Sequence, residues 1–216
     1  MEIAIVVISC TVNLIRSMEQ YLKVLKTYKK MPRELEDLLK EKVKPVTFPT
    51  GTFIQKQRIL CNHIYFIEKG IVRIFEEKKT TQFKKENEFI ISYFIGEDSK
   101  PNAPGIEALE DVTAWDFTPQ IIEDVCERFP QFGLQLTIMM MKDAEVVSKI
   151  RRCLGESDSA SQLYDYLRSN TPDLLGRVTS NHLASFLGVS EAVFLHMKDS
   201  NIRTSMSGKH LRRDHS

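Results

Sequence analysis

A glycine turn between two β-prone runs limits the fold of this chain more than any other feature of its sequence. Residues 64–67 and 71–75 are rich in isoleucine, valine and aromatic residues, and Glu68-Lys69-Gly70 lies between them. Glycine takes positive φ values at little steric cost, and a glycine between two short strands is typical of a tight β-hairpin. We therefore predict a hairpin that turns at Gly70.

Other short runs on both sides of this turn have the same strand-like composition. Residues 46–48 and 53–57 precede it, and residues 80–83, 89–95 and 106–117 follow it, with proline, glycine or charged residues between the runs. Several short strands divided by turn residues are typical of a small barrel or jelly roll.

Two stretches carry a resemblance to a known family. They are Pro-Thr-Gly-Thr-Phe-Ile at 49–54 and Cys-Asn-His-Ile-Tyr-Phe-Ile-Glu-Lys-Gly-Ile-Val-Arg-Ile-Phe at 61–75. Their order resembles the opening of the cyclic-nucleotide-binding β-roll in the CRP/FNR family of bacterial transcription factors, and the resemblance extends over residues 18–199. It implies an α+β fold with a β-roll sensor domain of jelly-roll type, a long dimerisation helix and a C-terminal winged-helix or helix-turn-helix domain.

The resemblance and the breaks in composition together predict five segments. These are an N-terminal extension at 1–17, a cyclic-nucleotide-binding-like β-roll domain with N-terminal helices at 18–128, a dimerisation helix at 129–154, a helix-turn-helix domain at 155–199 and a disordered tail at 200–216.

The N-terminal extension contains an apolar run that needs its own interpretation. Residues 3–8 are far fewer than the roughly 20 apolar residues that cross a bilayer, and Glu2 stands where a signal peptide carries positive charge. We expect this run to lie on the protein body as a helix or strand, and the alternatives are a lipoprotein signal that ends at Cys10 and a native start at Met18.

The predicted dimerisation helix starts near Pro130 and carries an apolar stripe. Its members recur at helical spacing on one face: Leu136, Met140, Val147, Ile150 and Leu154, with Met139 and Val146 beside them. In the family that the chain resembles, this helix packs against the same helix of a second subunit. We therefore expect a homodimer that uses this stripe.

Residues 177–198 have the pattern of a helix-turn-helix. Thr179 can cap one helix, Gly188 supplies the turn and Ser190 caps the next helix. The predicted shared core consists of Leu183, Ala184, Leu187, Val189 and Val193. The resemblance implies that the second of these helices enters the major groove of DNA.

The phosphate-binding half of a cyclic-nucleotide site is missing from the sequence. Relatives that bind cyclic AMP place an arginine on the phosphate, whereas residues 74–127 contain no arginine. We therefore do not expect cyclic AMP to bind. An unknown, less charged effector could lie against an edge formed by Phe89, Ser92, Tyr93 and Lys100, and the alternative is that these side chains simply fill the roll.

The base-reading set of the family is also altered. The positions that hold glutamate, a small polar residue and arginine in relatives are Ala192, Leu195 and His196 here. We predict that DNA is contacted by the remaining polar residues of the motif: Thr179, Ser180, Asn181, Ser190, Glu191, His196 and Lys198. From residue 155 onward the acidic and basic residues are equal in number, so counterion release contributes little affinity.

Composition agrees with a cytoplasmic protein that has neither a membrane partner nor a cofactor. The net charge is +1, and the four cysteines at positions 10, 61, 126 and 153 show no metal-ligand or disulfide spacing. We predict a DNA-binding transcriptional regulator without catalytic residues or a metal site. The alternatives are a degenerate relative that acts through protein contacts without specific DNA binding and, disfavoured because its roll would carry only His63, a cupin-like metal enzyme.

Overall fold

The computed structural model describes residues 18–59, 63–91, 103–153 and 159–210. The helices are α1 (residues 18–28), α2 (Arg33–Lys42), α3 (Pro119–Arg128), α4 (Pro130–Cys153), α5 (Ser159–Asn170), α6 (Leu174–Arg177), α7 (Ser180–Leu187) and α8 (Glu191–His210). The strands are β1 (Lys44–Phe48), β2 (Phe53–Gln55), β3 (Ile64–Lys69), β4 (Val72–Glu76), β5 (Lys79–Lys84), β6 (Phe89–Ile91), β7 (Gly105–Ala108) and β8 (Val112–Phe117).

The chain divides into two compact units. One comprises Met1–Glu77 and Phe83–Glu145, and the other comprises Lys78–Gln82 and Val146–Ser216. No helix within the described residues is both long and apolar enough to cross a membrane.

The strands form two four-stranded sheets in the orders β1-β8-β3-β6 and β2-β7-β4-β5. The pairings β1–β8, β3–β8 and β3–β6 are antiparallel, as are β2–β7 and β4–β7. Apolar side chains from both sheets meet in one cluster, to which β3 contributes Ile67, β4 contributes Val72 and β7 contributes Ile106. This arrangement confirms the predicted β-roll.

The predicted hairpin at Gly70 is wrong, although both of its strands exist. β3 and β4 lie in different sheets, so the chain leaves one sheet at Gly70 and enters the other. Gly70 has φ +96°, and its N–H donates to Glu86 Oε1 at 2.9 Å. The sequence indicates two strands and a turn, but the turn alone does not specify whether the strands pair with each other or with distant partners.

A second core lies between the sheet that contains β3 and β8 and helices α1 to α4. Tyr21 of α1 is fully buried there, with its ring centroid 5.5 Å from those of Trp115 and Phe117. Burial raises the pKa of the Tyr21 hydroxyl well above its usual range. This cluster fixes the helices on the sheet.

Helix α4 packs into this same core with part of the stripe that we predicted for dimerisation. Leu136 and Met139 are buried in the aromatic cluster, and Met140 packs against it. That part of the predicted dimer stripe is therefore wrong. A stripe of apolar residues must be covered, but the spacing does not tell whether the cover comes from the same chain or from another one.

A buried ion pair also attaches the first part of α4, which lies in the first unit, to β5. Lys84 Nζ bonds to Asp143 Oδ1, and the two side chains are only 10% and 11% exposed. Glu88 accepts a hydrogen bond from the Lys85 N–H at 2.8 Å. Desolvation raises the pKa of the Glu88 carboxyl, and the nearby Lys84 charge offsets part of this effect.

Residues 159–210 contain the helices α5 to α8, joined by short turns, and no strand, so the winged-helix motif is represented over those residues by its helices alone. Helix α8 continues to His210, past residue 199, where we predicted the domain to end. No proline interrupts residues 191–210, and polar residues such as Arg203 and Lys209 are compatible with a helix.

Candidate nucleic-acid interface

The turn of the helix-turn-helix is formed as the sequence predicts. Gly188 ends α7 in the left-handed conformation with φ 73° and ψ 26°, and its N–H donates back to the last turn of the helix. The Val189 N–H donates to the Ala184 carbonyl at 3.1 Å. A glycine C-cap of this kind satisfies the carbonyls at the helix end and redirects the chain into the next helix.

Both predicted N-caps stand at the starts of their helices. Thr179 is the N-cap residue of α7, but its side chain makes no capping hydrogen bond. The Ser190 Oγ accepts from the Val193 N–H at 3.4 Å, which confirms the predicted cap of α8. Thr179, Asn181 and Ser190 are exposed, so their hydroxyl and amide groups are accessible beside the N-termini of two helices.

Phe194 fixes the rotation of α8 about its axis. Its side chain is fully buried, and its ring centroid lies 6.1 Å from that of Tyr164 in α5. The predicted core residue at this point was Val193, which is instead 48% exposed. That prediction is wrong because a one-residue change in the apolar position rotates the buried face by about 100°.

The face of α8 opposite Phe194 is therefore the outward face. At about 100° per residue, Ala192 and His196 lie nearly opposite Phe194, with Val193 and Leu195 on either side of them. All four are exposed, and Leu195 is 44% exposed. The N-terminal turns of a helix in this position are the ones that meet base edges in DNA-bound helix-turn-helix proteins.

The described charges around the motif are largely neutralised within the chain. Arg168 pairs with Asp165 at 3.1 Å, and Arg177 approaches Asp173 at 3.7 Å. Lys198 is half-buried on α8. This distribution agrees with the equal numbers of acidic and basic residues in the sequence. Any affinity for DNA therefore depends on local geometry more than on net charge.

The predicted polar set thus lies on two helices and the turn between them. The N-terminus of α7 carries Thr179, Ser180 and Asn181, and the start of α8 carries Ser190 and Glu191. His196 stands on the outward face of α8. Sequence reasoning missed Val193 as an outward residue, because the motif pattern assigns an apolar residue at this point to the core.

The predicted effector edge is described only in part. Phe89 is buried in the aromatic core, with its ring centroid 4.9 Å from that of Phe66 and 5.9 Å from that of Phe117. Ser92, Tyr93 and Lys100 lie outside the described residues. The pocket stays a prediction, with Phe89 as the member that fills the core.

Helix α4 has an exposed stripe that is separate from its buried one. Leu134 and Met141 are 50% and 68% exposed, and Thr137, Ala144 and Ser148 are exposed as well. These five positions alternate at spacings of three and four residues, which is the pattern of the a and d positions of a coiled coil. Leu134 and Met141 are large and apolar, and the other three side chains are small.

Comparison with solved structures identifies the fold. FixK2 from Bradyrhizobium japonicum superposes with a TM-score of 0.62 at 14% identity, over 76% of this chain and 85% of that one. CLP, a c-di-GMP-responsive global regulator of Xanthomonas campestris, gives 0.63 at 12% identity, over 81% and 93%. A protein from Eubacterium rectale described as a crp/fnr family transcriptional regulator gives 0.61 at 14% identity, over 79% and 83%.

At these identities the likeness concerns the fold alone. No protein-family model matches the sequence, and no curated protein matches it. The chain has the fold of CRP/FNR regulators, in which a β-roll of the cyclic-nucleotide-binding type precedes a helical C-terminal part.

Proposed function

We propose that this protein is a homodimeric transcriptional regulator that binds DNA through α7 and α8. The observation that carries the proposal is the helix-turn-helix itself. It has a left-handed glycine turn at Gly188, a capped second helix and an outward face that is fixed by the burial of Phe194. This geometry presents the first two turns of α8 to the major groove.

The N-terminus of α7 supplies the backbone-positioning contacts in this proposal. Helix N-termini attract phosphate because their first N–H groups lack partners within the helix. Thr179 and Asn181 are exposed at that end of α7. Such contacts fix the register of the protein on DNA without reading its sequence.

Selection from a random duplex library at low salt tests the proposal. We expect enrichment of a site, and an affinity that falls as salt rises. Thr179→Asp is expected to weaken binding by about tenfold, because it places a negative charge against phosphate. Aspartate is also a favourable N-cap, so the variant should remain folded. Thr179→Asn, a neutral cap, is the matched control and should retain binding.

Dimer formation rests on the exposed stripe of α4 that includes Leu134 and Met141. A long helix with apolar residues such as Leu134 and Met141 at a/d positions favours packing against another helix. A second copy of α4 has the same pattern and satisfies the symmetry of a two-fold dimer. The dimer is proposed for this stripe and not for the stripe that packs on the roll.

Met141→Glu is expected to weaken dimer formation by roughly 100-fold or more, because it buries an unpaired carboxylate in each subunit. Sedimentation over a concentration series measures the change. Val146→Glu is the matched control: Val146 is also exposed on α4 but lies off the a/d positions, so this variant should remain dimeric. Equal dissociation constants for the two variants would contradict the assignment of the interface.

A second candidate function is supported by Val193 and Leu195, whose exposed apolar side chains on α8 also suit a protein partner. A folded dimer that binds no DNA at low salt would favour this candidate over the first.

The sensor role is proposed for the edge of the roll beside Phe89. Residues 74–127 contain no arginine that could pair with a phosphate, which supports an effector less charged than a nucleotide. Cyclic AMP is not proposed as a ligand.

A further inference from the structure

We infer that α8 recognises DNA chiefly through the C5-methyl groups of thymine, with Ala192, Val193 and Leu195 as the reading side chains. The inference rests on the proposed DNA binding and adds the chemistry of the recognised bases. It follows from which side chains α8 turns outward and from which groups of the major groove can complement them.

The outward face of α8 carries little hydrogen-bonding capacity. Among Ala192, Val193, Leu195 and His196, the imidazole alone can donate to or accept from a base edge. Bidentate recognition of guanine uses arginine or lysine, and bidentate recognition of adenine uses asparagine or glutamine. None of these four positions holds such a residue, so these four positions cannot read purines in that way.

The same positions are suited to apolar contact. The thymine methyl is the one apolar group that a standard base pair presents in the major groove, and small or branched apolar side chains contact it. Ala192 lies almost opposite Phe194, so its methyl group points away from the protein core. Val193 and Leu195, each more than two fifths exposed, widen the apolar surface on both sides.

The remaining polar groups of α8 complete this reading. His196 shares the outward face with Ala192 and can bond to one purine N7. Glu191 and Asp199 are exposed acceptors and are compatible with cytosine amino groups. The sites that fit α8 are thus rich in T·A pairs, with C·G pairs only where Glu191 or Asp199 accepts from a cytosine amino group.

Deoxyuridine substitution tests the inference with the full-length dimer. A duplex selected from the random library at low salt is resynthesised with each thymine in turn replaced by deoxyuridine, which removes the methyl group and preserves base pairing. We expect a loss of about fourfold in affinity at each contacted thymine, the effect of exposing one methyl-sized group. A contacted T·A pair is also replaced by C·G, with either cytosine or 5-methylcytosine. The duplex with 5-methylcytosine should bind more tightly than the duplex with cytosine, because it restores the methyl group.

A double-mutant cycle assigns each methyl group to its side chain. In Leu195→Ser, the deoxyuridine penalty should disappear at the thymine that Leu195 contacts and persist at the others. Tyr166→Ser is the matched control, because Tyr166 is an exposed apolar residue of α5 outside the recognition helix. This variant should keep every penalty.

The outcomes separate this inference from the function on which it rests. Tight, salt-dependent binding to a selected site with no deoxyuridine penalty at any thymine would overturn thymine reading and leave DNA binding in place. A folded dimer that binds no duplex at low salt would overturn both and would favour a protein partner for α8.

Discussion

Asp143→Ala is expected to lower the free energy of unfolding by about 3 kcal/mol, because it leaves the Lys84 ammonium without its carboxylate partner in a site with little access to water. The two side chains are 10% and 11% exposed. The effect is at the lower end of the range for broken buried pairs, because Lys84 is still slightly exposed and Glu88 is close to its charge. Urea unfolding followed by circular dichroism measures it.

An exposed ion pair of the same unit provides the control for Asp143→Ala. Asp37 lies 4.0 Å from Arg33 and 3.9 Å from Lys40, and its side chain is 61% exposed. Asp37→Ala should change stability by less than about 1 kcal/mol, because water screens such pairs. A combined Lys84→Met and Asp143→Leu variant should recover part of the loss, because neither member of the pair is left charged and buried without the other. The recovery is partial because Glu88 also loses the nearby Lys84 charge. Equal effects of Asp143→Ala and Asp37→Ala would show that burial of the Lys84 pair has no energetic consequence.

Gly70→Ala is expected to destabilise the roll by about 3 kcal/mol. Its φ of +96° disfavours any residue with a Cβ, and a Cβ at this position would lie 2.7 Å from the backbone oxygen of Asp111 and 3.0 Å from Val112 Cγ2. The conformational cost alone is roughly 1–2 kcal/mol. The clash with the backbone adds a further cost, because the edge of β8 must move away. Thermal and urea unfolding report the loss.

A second glycine, Gly51, allows the cost of the positive φ to be measured apart from the cost of the steric clash. It also has positive φ, at +80°, but a Cβ there would meet nothing within 4 Å. Gly51→Ala should therefore cost about 1 kcal/mol, from backbone conformation alone. If Gly70→Ala were no worse than Gly51→Ala, the close approach of Gly70 to Asp111 would contribute nothing.

Local features of this fold could be predicted from the sequence because each depends on a few neighbouring residues. Threonine followed by proline is a typical start of a helix, and Thr118 caps α3, with the Ile121 N–H 3.3 Å from the threonine Oγ1. The Gly188 turn and the Ser190 cap form as well. In each case the capping group and the backbone group that it bonds lie within four residues of each other.

Features that depend on distant partners could not be predicted in this way. The pattern around Gly70 is the same for a hairpin and for a change of sheet, and the choice depends on β8, which lies far along the chain. The apolar residues of α4 belong to two stripes, one covered by the roll and one exposed. The sequence predicts Val193 as the core residue of α8, whereas Phe194 is the buried one. Both residues are apolar, and packing against Tyr164 selects the larger one.

The order of the first sheet has a consequence for how the protein forms during synthesis. β8 lies between β1 and β3, so β1 has no neighbour in its sheet until Val112–Phe117 has left the ribosome. At ordinary rates of elongation, that interval lasts on the order of several seconds. During it, the nascent chain carries the apolar strand β3 without the strand that later covers one of its edges. A chaperone that protects this strand edge would therefore have to bind the growing chain while the residues between β1 and β8 are synthesised.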